Sequence, residues 1–130
     1  MPRDGSSYVN DWVKIAEKDY DRVLRMLDDD DPEGAAFHLQ QCLEKLLKAF
    51  LLSKGWTLNK IHDLETLMDD AERYGLSIAE YREICQTIST FYTVERYPPL
   101  VPPDLTVQNV QECLNQAQGL IELLRERTKE

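Results

Sequence analysis

The segment from Phe37 to Phe50, FHLQQCLEKLLKAF, constrains the fold of this chain more than any other. At about 100° per residue, Ala35, Leu39, Cys42, Leu43, Leu46 and Phe50 fill one arc of a helix. Ala36, Leu47 and Leu51 widen that arc, and Phe37 extends it, with Gln40 and Glu44 falling among the apolar neighbours. A helix apolar over so wide an arc contacts more than one neighbour, so the rest of the chain has to supply them. The opposite face carries His38, Gln41, Lys45 and Lys48. Asp31 can accept the free N–H groups at the start of this helix, Pro32 suits its first position, and the helix stops at Gly55.

Four further helices are expected around it. The first runs from about Ser7 to Leu27, with Val9, Trp12, Ala16, Tyr20, Val23, Leu24 and Leu27 inward, and ends at the acidic run Asp28 to Asp31. The third spans about Lys60 to Tyr74, capped by Gly75, with Ile61, Leu64, Leu67, Met68, Ala71 and Tyr74 inward. The fourth opens at Ser77-Ile78-Ala79-Glu80, which reads as a capping box with Leu76 and Tyr81 as a hydrophobic staple. It continues through Ile84, Cys85, Ile88 and Phe91 or Tyr92. Residues 95–105, with Pro98, Pro99, Pro102 and Pro103, form a stiff connection that cannot be helical. The fifth helix covers about Thr106 to Arg127. The pattern predicts an all-α, antiparallel up-and-down bundle of four main helices plus a fifth. Its single domain occupies residues 1–130, with a core over about 7–127.

With 130 residues, one core suffices. The formal net charge of −9 argues against a uniformly basic nucleic-acid surface, so any polyanion site has to be a local basic patch. Cys42, Cys85 and Cys113 are odd in number, form no CxxC pair and sit in apolar helical patterns. They read as reduced core thiols of a cytoplasmic protein. No membrane span or signal-peptide core is expected from the apolar runs or from the opening MPRDGSSYVNDW.

The residue patterns predict neither a metal site nor a cofactor site. His38 and His62 stand in no metal-ligating pair, no cysteine has a histidine at readable spacing, and the five glycines build no phosphate loop. Lys45 and Lys48, on one helical face, are candidates for contact with a phosphate. The plainer alternative is a solvated face carrying a Glu44–Lys48 ion pair. His62 fixes the loop into the third helix or acts as a general base, while Asp63 suits the positive end of that helix. Arg96, beside Tyr97, either caps the fourth helix or reaches a phosphate. The flank of Phe37, Gln40, Glu44, Leu47 and Leu51 is wider than one internal contact needs, which predicts a dimer or partner surface there.

The chain resembles the HEPN domain family. The likeness is carried by Ala16, Asp19 and Tyr20, then by the run from Ala36 to Ala49 with its QQ-x-x-EK-x-x-KA pattern. Gly55, His62-Asp63-Leu64, Leu67 and Arg96-Tyr97-Pro98 follow in order, so the likeness extends over roughly Asp11 to Leu124. It implies a helical bundle, commonly homodimeric, and a protein partner that is a minimal nucleotidyltransferase in a two-gene, toxin–antitoxin-like system. Nucleotide or RNA contact would fall to Lys45, Lys48, Arg96, Tyr97 and His62. Some family members are metal-independent ribonucleases with an Arg followed several residues later by His. No His follows Arg73, Arg82 or Arg96 in this chain, so no catalytic residue carries over. The leading expectation is therefore a noncatalytic module. The alternatives are an atypical ribonuclease, with Arg96, Tyr97 and His62 converging, and a purely structural interaction domain.

Overall fold

A computed structural model describes residues 5–57, 63–96 and 105–129, and side chains within 8–57, 63–90 and 105–129. Five α-helices are present: α1 (Gly5–Asp28), α2 (Pro32–Ser53), α3 (Leu64–Arg73), α4 (Arg82–Arg96) and α5 (Val107–Thr128). Among the described residues there is no strand. Residues 97–104 of the Pro-rich connection, His62 and the first residues expected for the third helix lie outside the described residues, while Glu95 and Arg96, expected in that connection, end α4.

Local chemistry sets the helix ends. The side chain of Asp31 accepts from the Gly34 amide at 3.1 Å with Pro32 at the first position, so α2 begins where the sequence predicts. Just before it, Asp30 takes φ 58°, a conformation that short polar side chains tolerate. Gly75 follows α3 with φ 92°, where a side chain would be strained.

Two expectations about helix starts need correction. α3 starts at Leu64, because Asp63 is extended and its carboxylate accepts from the Glu65 amide (3.1 Å) and the Thr66 hydroxyl (2.8 Å). The capping box at Ser77 does not form: Ile78 leads into a short 3-10 turn over Ala79–Tyr81 with no side-chain cap. A reciprocal box opens α5 instead. There the Thr106 hydroxyl accepts from the Asn109 amide (3.1 Å) and the Asn109 side chain accepts from the Thr106 amide (3.2 Å). Asn in place of the usual Glu or Gln hid this signal.

Side-chain pairs fix the helix directions. Asp19 meets Lys45 and Trp12 meets Lys48, so α1 and α2 run antiparallel. Tyr20 meets Gln118 and Glu17 meets Arg125, so α5 runs antiparallel to α1. Among the described residues α2 alone touches all four other helices, and its contact with α1 is the most extensive. A shared buried cluster draws Ala16 and Val23 from α1 and Leu39, Leu43, Leu46, Leu47, Phe50 and Leu51 from α2. It adds Leu64, Leu67 and Met68 from α3, Ile84 and Ile88 from α4, and Val110, Ala117, Leu120, Ile121 and Leu124 from α5. Leu24, expected inward, is exposed, whereas Asp19 is buried. No described helix is long and apolar enough to cross a membrane.

Close packing shows where α5 passes the turn before α4. A Cβ placed on Gly119 would lie 2.3 Å from the Tyr81 hydroxyl oxygen and 3.2 Å from its ring carbon. Gly119→Ala is expected to displace Tyr81 and to lower stability by about 1–2 kcal/mol in urea unfolding, despite the better helix propensity of Ala. In a Tyr81→Phe background the same substitution is expected to cost measurably less.

Candidate functional site at the seam of α1 and α2

His38, Gln41, Lys45 and Lys48 recur at intervals that place them on one face of α2. That face is turned toward α1, where Trp12, Asp19 and Arg22 recur at the same kind of interval. Two polar groupings result.

The first centres on Asp19, which is only 1% exposed. Its Oδ2 accepts from Lys45 Nζ at 2.6 Å, and its Oδ1 accepts from His38 Nδ1 at 2.8 Å. Arg22 Nη1 stands 3.5 Å from the same Oδ1. The carboxylate requires the proton of the imidazole to sit on Nδ1, which leaves Nε2 pointing elsewhere. The Phe37 ring meets the imidazole edge-on, with centroids 5.2 Å apart.

The second grouping is drier. Lys48 Nζ donates to Glu44 Oε2 at 3.0 Å, with both side chains 3% exposed, and the ammonium lies 5.4 Å from the centre of the Trp12 ring. Gln40 donates to Glu44 at 3.4 Å, and Gln41 donates to Gln40 at 2.7 Å. The Glu44–Lys48 pair therefore forms, but as a buried pair rather than on a solvated face.

On the neighbouring side of α1, Arg125 of α5 grips Glu17 through two nitrogens at 2.7 and 2.8 Å and stacks 4.6 Å from the centre of the Tyr20 ring. The Cys42 thiol sits within the reach of these charges. Burial, reinforced by the carboxylates of Glu17 and Asp19, raises it from 9.0 to about 12. Burial raises Cys85 to about 12 as well, and pushes Cys113 up. All three cysteines are free, with Cys42 and Cys85 in the core as the sequence predicts and Cys113 only partly buried. No group of metal-ligating side chains stands together among the described residues.

Of the contact residues that the sequence nominated, Lys45 and Lys48 fall into the two separate groupings. Each faces a carboxylate, and Lys48 is enclosed beside Glu44. Gln40, Glu44, Leu47 and Leu51 are buried within the chain, and Phe37 is half-buried. The apolar arc of α2 is wide because four helices of the same chain surround it. Arg96 ends α4 with its side chain outside the described set, while His62 and Tyr97 lie outside it altogether. Asp19, Arg22 and Trp12 were missed as site residues. The available signal was an acid at position 19, between the core residues Ala16 and Val23.

Two measurements check this arrangement. Glu44→Ala strands a buried ammonium and is expected to cost about 3–5 kcal/mol, whereas Glu44→Leu with Lys48→Leu should come out near neutral in denaturant titration. In the folded protein at pH 8, Cys42 and Cys85 should resist a thiol reagent that modifies all three cysteines in urea. The linkage sign is clear, since these thiols have raised folded pKa values: their contribution to stability is intact below pH 9 and is lost as pH rises toward 12.

Comparison with known proteins gives this geometry a family. The relative named "Putative toxin MJ1304", from Methanocaldococcus jannaschii, is 24% identical, with 95% of this chain and 90% of that protein aligned. The crystal structure of TT1696 from Thermus thermophilus superposes with a TM-score of 0.81 at 23% identity, covering 92% of this chain and 97% of that one. That of ST0689, described as an archaeal HEPN homologue, superposes with a TM-score of 0.74 at 25% identity, covering 98% and 99%. The HEPN domain family matches residues 9–127, which is nearly the whole chain. With the helical bundle and the ordered motifs described above, this chain belongs to the HEPN domain family.

Proposed function

We propose that this HEPN protein is a noncatalytic, dimeric module that acts in the cytoplasm with a minimal nucleotidyltransferase, in a two-gene, toxin–antitoxin-like arrangement, and that it contacts nucleotide or RNA. One observation carries the noncatalytic part. The chain has two histidines, His38 and His62, and both precede Arg73, Arg82 and Arg96, so no Arg-to-His ribonuclease motif can be written on this sequence. The relative whose printed name is "Putative toxin MJ1304" supports placing the chain in a toxin–antitoxin-like pair.

Two experiments test the proposal. Purified protein incubated with single-stranded RNA is expected to leave it intact; cleavage that disappears in Arg96→Ala would overturn the noncatalytic reading. Co-expression with a minimal nucleotidyltransferase is expected to yield a stable complex. A protein that elutes alone at every concentration would remove the partner from the proposal.

A further inference from the structure

Arg25 pairs with Asp21, Arg73 with Asp70 and Lys48 with Glu44. Arg82 faces both Asp69 and Glu72, and Arg125 faces both Glu17 and Glu122. In each of these clusters the carboxylates match or outnumber the cations, as a net charge of −9 leads one to expect. At Asp19 the ratio is inverted: a single buried carboxylate faces Lys45, Arg22 and His38. Asp19 cancels one of the two permanent cations, so the cluster keeps a net charge of +1, or +2 when the imidazole is protonated. The nearby carboxylates on α1 do not correct this, because Glu17 is held by Arg125 and Asp21 by Arg25.

The excess charge is also accessible. Lys45 and His38 are 19% and 18% exposed, and Arg22 is 46% exposed. The ammonium has two N–H donors beyond the one aimed at Asp19, the guanidinium keeps most of its five, and imidazole Nε2, a donor only in the imidazolium form, is not used by Asp19. These groups come from two helices and converge on one buried anion, so their positions are fixed before any ligand arrives. Lys18 and Lys14, exposed and one and two turns before Arg22, prolong the basic edge along α1.

We propose that Arg22, His38 and Lys45 form a phosphate-binding site at the α1–α2 seam, with Asp19 as the positioning residue that holds the donors from behind. The ligand class is the phosphate of a nucleotide or of single-stranded RNA, bound through charge-assisted hydrogen bonds. This rests on the nucleotide-or-RNA part of the function proposed above. It is independent of the nucleotidyltransferase partner and of whether RNA is cleaved.

The test uses the full chain and a fluorescein-labelled single-stranded RNA followed by anisotropy, with AMP and adenosine as competitors. RNA is expected to bind with an affinity that falls as salt rises, and AMP is expected to compete where adenosine does not. Arg22→Gln, a surface change that leaves Lys45 and His38 on Asp19, should weaken binding about tenfold, the loss of one charge-assisted hydrogen bond. Lys45→Gln should do the same with Lys45→Arg restoring much of it, and Arg73→Gln, on another helix, should change nothing. Absence of binding, adenosine competing as well as AMP, or binding unchanged by Arg22→Gln would overturn the site. A complex with the nucleotidyltransferase that survives such a failure would leave the partner reading standing, and binding without that complex would leave the site standing.

Discussion

The structure depends on the enclosure of α2. A helix surrounded by four others has little solvated face on which to place its polar residues. Every polar side chain it carries inward needs a partner inside the protein, since an unpaired buried charge costs several kcal/mol. Glu44 and Lys48 meet this requirement within α2 itself, one turn apart, with Gln40 completing the carboxylate and Trp12 covering the ammonium. Lys45 carries only donors, and His38 turns its Nδ1–H to the same seam, so neither accepts from the other there. They require an acceptor from α1, and Asp19 is that acceptor.

The placement of Asp19 also ties register to chemistry. His38 and Lys45 are seven residues apart, about 10 Å along the helix axis, and the carboxylate sits between them with one oxygen toward each. Sliding α1 by a turn would leave Asp19 with at most one of its two partners and would bury a charge against Leu or Ala. Apolar packing alone penalises such a slip weakly, since Val9, Ala16 and Val23 could find other apolar neighbours. A buried polar contact that discriminates between registers has a specificity role even where its net stabilisation is small.

Much of this was legible in the sequence, and the misses share a cause. The helices, the Asp31 cap and the buried Cys42 and Cys85 follow from periodicity and local hydrogen bonding, which act within a few residues. The faces of α2 were harder. A wide apolar arc shows that several neighbours are needed but not whether they come from the same chain, so Leu47 and Leu51 read as a partner surface although they lie in the core. The stripe with Lys45 and Lys48 read as solvated because its partners, Asp19 and Trp12, lie more than 25 residues away in sequence. Helical spacing gave Asp19 a core position, but only the packing of α1 on α2 shows what a carboxylate does there.

The two ion-pair groupings of the seam differ in a way that bears on function. Glu44 and Lys48 are matched in charge and closed to water, so they have nothing left to offer a ligand. Asp19 is outnumbered by its cationic partners, and those partners reach the surface. A purely structural role would be served by a matched pair at both places, since surplus cations beside a buried carboxylate repel one another and gain little further from it. Arg22 is the instructive member: at 3.5 Å from an oxygen already taken by His38, and nearly half exposed, it adds little to the burial of Asp19. Its positive charge is better placed to meet an anion arriving from solvent than to serve the one beneath it. An acidic protein that concentrates surplus cation at one seam repels polyanions over most of its surface while leaving that seam able to bind one. Affinity there should therefore depend on a few local phosphate contacts and be opposed by the field of the rest of the molecule.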